Sequence, residues 1–155
     1  MEIISNSLPH KVNLIQLIED VQKSFTRKVK DLQTLNYWER LKKLKMYSLQ
    51  RRRERYIIIY TWKIIENLVP NVGNIMSYRN PRQGRKCNIP LVQRGPWQKT
   101  VYSSFKMQGP RLFNALPSYL RNLSGCTKDK FKDELDKYLF RIPDEPLMPG
   151  YTAMR

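Results

Sequence analysis

Histidine occurs once in this 155-residue chain, at His10, and cysteine twice, at Cys87 and Cys126. Two thiols do not frame a disulfide-stapled scaffold. With no charged-then-apolar leader after Met1, a nuclear or cytoplasmic location is expected rather than secretion. His10, Cys87 and Cys126 are widely spaced and neither cysteine belongs to a Cys-x-x-Cys element, so no metal or other cofactor is expected. No Gly-x-Ser-x-Gly, phosphate-loop or dinucleotide fingerprint occurs, which leaves acyl and hydride transfer without machinery. The longest apolar run, around Tyr56 to Trp62, falls far short of the roughly 18 residues that suggest a membrane span, so no membrane partner is expected. Carboxylates are scarce too: 13 Asp and Glu stand against 29 Lys and Arg, a formal net charge of +16. Such a balance draws in polyanions and works against the compact state by self-repulsion.

What is present argues for a folded chain. At 41% apolar and 11% aromatic residues, the composition is too rich for a disordered tail, and the length suits one ordinary domain. Leu14, Ile18, Val21, Phe25, Val29 and Leu32 step by fours and threes, predicting a helix that begins near Pro9, turns these residues inward and carries Lys23, Arg27, Lys28 and Lys30 outside. Asn36 followed by Glu39 predicts a capping box and a second helix with Tyr37, Leu41 and Leu44 inside. Ser48 predicts the cap of a third helix, with Leu49, Tyr56, Ile57, Tyr60, Ile64 and Leu68 on its inner face until Pro70 and Gly73 end it. Arg51, Arg55, Ile58 and Trp62 fall on another face, basic at the start and apolar at the end. Arg53 falls within the apolar face, where it must snorkel or pair with a carboxylate.

Further along, Pro81, Gly84, Pro90, Gly95, Pro96, Gly109 and Pro110 punctuate a stretch in which eight basic residues and no acidic one lie between Arg79 and Arg111. Lys86 to Val92 and Lys99 to Met107 read as short strands, with Gln93-Arg-Gly-Pro as a hairpin turn between them. Gly109 to Pro117 and Pro117 to Leu123 read as short helices, and Lys128 to Phe140 as a final helix with Phe131, Leu135, Tyr138 and Leu139 inward. Pro143, Pro146 and Pro149 end the chain as a proline-rich tail. Asp129, Asp133 and Asp136 could hold magnesium, but Lys128, Lys130, Lys132 and Lys137 surround them at pairing distance, which favours a solvated charged face. The expected fold is mainly α, a small helical bundle with a minor β-hairpin. It divides into a helical region over 1–70, a basic Pro/Gly-rich region over 71–110 and carboxy-terminal helices and tail over 111–155.

The densest alternation of basic and aromatic residues runs from Asn36 to Leu68, where Trp38, Tyr56 and Trp62 interleave with lysine and arginine. Phosphates take the charge of such a frame and rings can take bases. Ile18-Glu-Asp-Val-Gln-Lys-Ser-Phe-Thr-Arg-Lys, Tyr37-Trp-Glu-Arg-Leu-Lys-Lys-Leu-Lys-Met-Tyr-Ser-Leu-Gln-Arg-Arg-Arg-Glu-Arg-Tyr and Tyr60-Thr-Trp-Lys-Ile-Ile resemble the carboxy-terminal part of non-LTR retrotransposon (LINE-type, jockey-like) reverse transcriptases. Phe105-Lys-Met-Gln-Gly-Pro-Arg-Leu-Phe-Asn-Ala-Leu-Pro, Leu120-Arg-Asn-Leu, Phe131-Lys-x-x-Leu-Asp-Lys-Tyr-Leu and Ile142-Pro-Asp-Glu-Pro extend the resemblance almost to the end. It implies the end of the thumb and the region following it, in a family of RNA-directed DNA polymerases.

The family's aromatic-x-Asp-Asp signature is absent: Glu19-Asp20, Asp133-Glu134 and Asp144-Glu145 lack that context, so no catalysis on its own is expected. The resemblance implies binding instead, with Arg40, Lys42, Lys43, Lys45, Arg51, Arg52 and Arg55 on RNA or DNA backbone without sequence preference and Trp38 or Trp62 stacking on bases. The alternative is an inert or self-associating relic whose apolar faces suit a polymerase body or a second copy.

Overall fold

Polar side chains fix where the first helices begin and how they meet. In the computed structural model, which describes residues 9–71, 74–142 and 144, α1 spans Pro9–Arg27, α2 Tyr37–Lys43 and α3 Leu49–Ile65. The expected capping box forms: Asn36 Oδ1 accepts from the Glu39 N–H, and Glu39 Oε2 accepts from the Asn36 N–H, both at 3.0 Å. A cap of this kind stabilises a helix by about 1 kcal/mol. Ser48 caps α3, its Oγ accepting from the Arg51 N–H at 3.0 Å. Two carboxylates reinforce that end. Asp144 accepts from the Ser48 N–H and hydroxyl at 2.7 and 2.8 Å, and Glu19 accepts from the Leu49 N–H at 3.0 Å, where the helix dipole favours negative charge.

Downstream, β1 (Ser77–Asn80) and β2 (Gly84–Cys87) form an antiparallel hairpin in the register Ser77 to Cys87 and Asn80 to Gly84. Four helices follow: α4 Gln98–Ser103, α5 Phe105–Ala115, α6 Ser118–Arg121 and α7 Lys128–Leu139. Seven helices and one hairpin among the described residues make the fold mainly α, as expected. The proline-rich tail lies outside the described residues. No described helix is long and apolar enough to cross a membrane.

The core is built on the face of α3 that carries Ile58 and Trp62. Trp62 is fully buried and stacks on Phe131 of α7, ring centroids 4.5 Å apart, while its Nε1 donates to the Leu123 carbonyl at 2.9 Å. Ile59, Ile64, Ile75, Cys87, Leu112, Phe113, Leu116, Leu120, Leu135 and Leu139 complete the cluster, so all three stretches of the chain contribute to one interior. Gly109 sets the spacing of α3 against α5. A Cβ there would lie 2.6 Å from Thr61 Oγ1. The Cys87 thiol is pushed up to about 12 by burial, and Asn114 brackets its backbone, accepting from the Cys87 N–H at 2.7 Å and donating to its carbonyl at 2.8 Å.

Two expectations about the strands fail here, each for a physical reason. The hairpin lies at 77–87, not at 86–107, because Asn80 Oδ1 accepts from the N–H groups of Arg82 and Gln83 at 3.0 Å and Gly84 supplies φ of 72°, which is local turn chemistry. Lys99 to Met107 is instead split between α4 and α5 at extended Ser104. The hydroxyls of Ser103 and Ser104 bond back to the carbonyls of Thr100 and Val101, a competitor to strand pairing.

The inner faces of two helices are also different. On α3, Tyr56 is 66% and Tyr60 39% exposed, Leu68 beyond it is exposed, and Arg51 and Glu54 are buried. Arg53 is exposed. The helix ends at Ile65, short of Pro70, and Asn67 just beyond it takes φ of 56°, which allows the Asn67 and Leu68 N–H groups to reach the carbonyls of Ile64 and Lys63. On α1, Glu19 and Thr26 are buried, whereas Leu14, Ile18, Val21 and Phe25 of the predicted inner stripe are exposed, as is Leu17.

Candidate nucleic-acid interface

Arginines near α2 and α3 split from lysines according to whether a carboxylate or carbonyl waits for them. Arg40 is buried, donating through Nε to Thr26 Oγ1 at 3.2 Å and through Nη1 and Nη2 to the carbonyls of Leu35 and Lys23 at 2.6 and 3.2 Å. It holds α2 against the end of α1. Arg51 is fully buried, with Nη1 donating to the Leu139 carbonyl at 3.0 Å and Nε 3.5 Å from Asp144 Oδ1. Burial lowers its pKa, and the nearby Asp144 opposes that shift. Arg55 grips Asp136 through both branches at 2.6 and 2.7 Å, and that bonding holds its pKa above the ordinary arginine value. These three arginines join elements within the chain, and with Trp62 they are withdrawn from the expected contact surface.

The lysines are placed differently. Lys42, Lys43 and Lys45 are exposed at the end of α2, and none enters an ion pair among the described residues. The Lys45 and Met46 N–H groups reach back to the carbonyls of Lys42 and Leu41 at 3.1 and 2.8 Å, which turns the chain sharply. Lys45 takes φ of 52° to do so, a place where glycine is usual. Arg27, Lys28 and Lys30 at the end of α1, and Arg53 on α3, are exposed as well. Arg52 is half-buried. Arg53 was the cation missed by counting apolar spacing, because Tyr56 and Tyr60 of the face that counting marked as buried are exposed, although Ile64 is in the core.

In the second basic stretch, Arg79, Arg82, Arg94, Lys99 and Lys106 are exposed. Arg85 turns inward. It pairs with Glu66 and donates to the carbonyls of Arg121 and Leu123, both at 2.8 Å. Arg121 is buried against the carbonyls of Asn114 and Gln83. Five arginines and five carboxylates are thus engaged inside, the latter being Glu19, Glu54, Glu66, Asp136 and Asp144. Internal pairing therefore does not diminish the outward excess of positive charge. On α7, Asp129 pairs with Lys132 and Glu134 with Lys137.

Trp38 is half-buried beside Tyr37, ring centroids 5.0 Å apart and tilted by 53°. It lines a cleft of about 340 Å³ whose other walls come from α2, the following turn and the end of α7. Phe140 and Arg141, at that end, had no signal in helical spacing. Comparison of the chain with protein-family models, curated proteins and solved structures found no match.

Proposed function

We propose that this chain binds RNA or DNA backbone without sequence preference, as a non-catalytic carboxy-terminal segment of a non-LTR retrotransposon RNA-directed DNA polymerase. The motif order supports the family. The observation that carries the binding is the exposure of Lys42, Lys43 and Lys45, with Arg27, Lys28 and Lys30 at and just beyond the end of the neighbouring helix, while Arg40, Arg51 and Arg55 are engaged within the fold. Such cations gain from polyanions chiefly by releasing condensed counterions, which needs no base reading. With about six phosphates contacted, affinity should fall roughly a thousandfold between 50 and 200 mM salt. Changing Lys42, Lys43 and Lys45 together to alanine should shallow the log–log slope by about one per lysine. A flat salt response in the unaltered chain would overturn the proposal.

One observation favours a second reading, an assembly piece without independent activity. The apolar stripe Leu14, Leu17, Ile18, Val21 and Phe25 is 48–69% exposed along α1, a face suited to a polymerase body or a second copy. Light scattering tests the latter: a dimer that Val21→Glu and Phe25→Glu dissolve would support it, and a monomer with fixed near-ultraviolet aromatic signals would exclude self-association.

A further inference from the structure

We infer that the cleft beside Trp38 is a stacking site for an unpaired nucleobase, so that the chain prefers single strands to a backbone of equal charge. This rests on the backbone-binding proposal and adds to it a place where the base goes. The floor is apolar and closed: Leu41, Leu139 and Ile142 are buried. The walls are Trp38 and the Tyr47–Phe140 pair, whose rings stack with centroids 4.6 Å apart and 26° between planes. Tyr47 is held in place by its hydroxyl, which donates to Asp136 Oδ1 at 3.1 Å, while Phe140 is 51% exposed. A volume of about 340 Å³ lies within the roughly 300–1,000 Å³ of small-ligand sites.

Apolar walls alone would suit any flat apolar group; the rim selects among them. Lys42 and Arg141 both line the cleft and are both exposed, placing cations where the phosphates flanking an inserted base would lie. Glu39 and Asp144 also line it, Asp144 turned to inside partners and Glu39 exposed at the rim with one oxygen in the cap of α2. Glu39 holds the Asn36 N–H, and Asp144 holds Ser48 and Arg51. Asp144 is taken up by Ser48 and Arg51, and the ring walls take bases through their faces, so stacking does not distinguish among them. Sequence tolerance is the consequence.

The test compares the full chain on oligo(dT) with a fully abasic strand of the same length, which keeps every phosphate and removes every base. Oligo(dT) should bind on the order of tenfold tighter, the worth of stacking about one base. Trp38→Ala should erase that difference while leaving abasic binding unchanged, and Trp38→Phe should retain much of it. Equal affinity for the two strands overturns the base site and leaves the backbone reading intact. It would assign the cleft to an apolar side chain of a protein. Equal weakening of both strands by Trp38→Ala also overturns it, since that is the mark of a structural role. Failure of both strands to bind at low salt overturns the backbone proposal itself.

Discussion

Changing Arg51 to alanine would remove a fully buried guanidinium and leave the Leu139 carbonyl and Asp144 without it. Breaking a buried pair from one side costs roughly 3 kcal/mol or more, so denaturant melts should show a large loss of stability. Alanine at exposed Lys42 and Lys43 should stay within about 0.5 kcal/mol. Loss of nucleic-acid binding on replacing Arg51 would therefore report unfolding, whereas exposed Lys42 and Lys43 test the proposed binding directly. Lys45 gives a sharper contrast. At φ of 52° a residue with a Cβ is disfavoured, so Lys45→Gly should raise stability by about 0.5–1 kcal/mol. On the proposed backbone binding, the same change should weaken affinity by removing one cation from the contact. Opposite signs in a thermal melt and a binding titration would confirm that this position sustains strain while presenting a charge.

Helices meet where their sequences leave room, and Gly109 shows it. Gly109→Ala places a methyl 2.6 Å from Thr61 Oγ1 and should force α5 away from α3 at a cost of about 1–3 kcal/mol. Because the next nearest atom, Ile75 Cδ1, lies at 3.4 Å, Thr61→Ala should relieve most of that cost. A double-mutant cycle that came out additive would contradict the contact. At this scale, the starts of α2 and α3 were legible in the sequence, because Asn36 with Glu39 and Ser48 act on N–H groups three residues away. The faces were not. Arg51 and Arg55 face inward because Asp144 and Asp136 meet them from the far end of the chain, and Glu19 faces inward because Tyr37 and the Leu49 N–H do. Apolar periodicity carries none of those long-range partners, so it turned α1 and the start of α3 the wrong way. The same error reached the arginine-rich run, where Arg51 and Arg55 turn inward as clamps and Arg53 stays exposed, while the cleft depends on Phe140 and Arg141, brought to Trp38 only by tertiary packing.

Across the whole molecule, Glu66 at the end of α3 ties β2 to the loop before α7. It pairs with Arg85 and accepts from the Gly125 N–H at 2.9 Å and the Ser124 hydroxyl at 3.1 Å. Burial pushes its carboxyl up, but the Gly125 N–H and Arg85 outweigh that and hold it below the ordinary 4.5. A carboxyl with a depressed folded value contributes stability above the ordinary value, and that contribution is lost as pH falls through the folded one. Melting temperature should therefore drop on acidification below about 4.5, and Glu66→Gln should be less stable near neutrality with a flatter acid limb. An unchanged acid limb in that variant would show that Glu66 does not carry the dependence.

The same end-to-end stitching has a consequence for how the protein is made. Asp144 reaches Ser48 across 96 residues and Asp136 reaches Arg55 across 81. At about 5–20 residues per second of synthesis, the amino-terminal half waits roughly 4–20 s for its counter-charges. Closure of α3 thus waits until Asp136 and Asp144 have been made, and a ribosome stalled before Asp136 would hold a chain whose Arg51 and Arg55 are still available to any RNA nearby, the ribosome's own included.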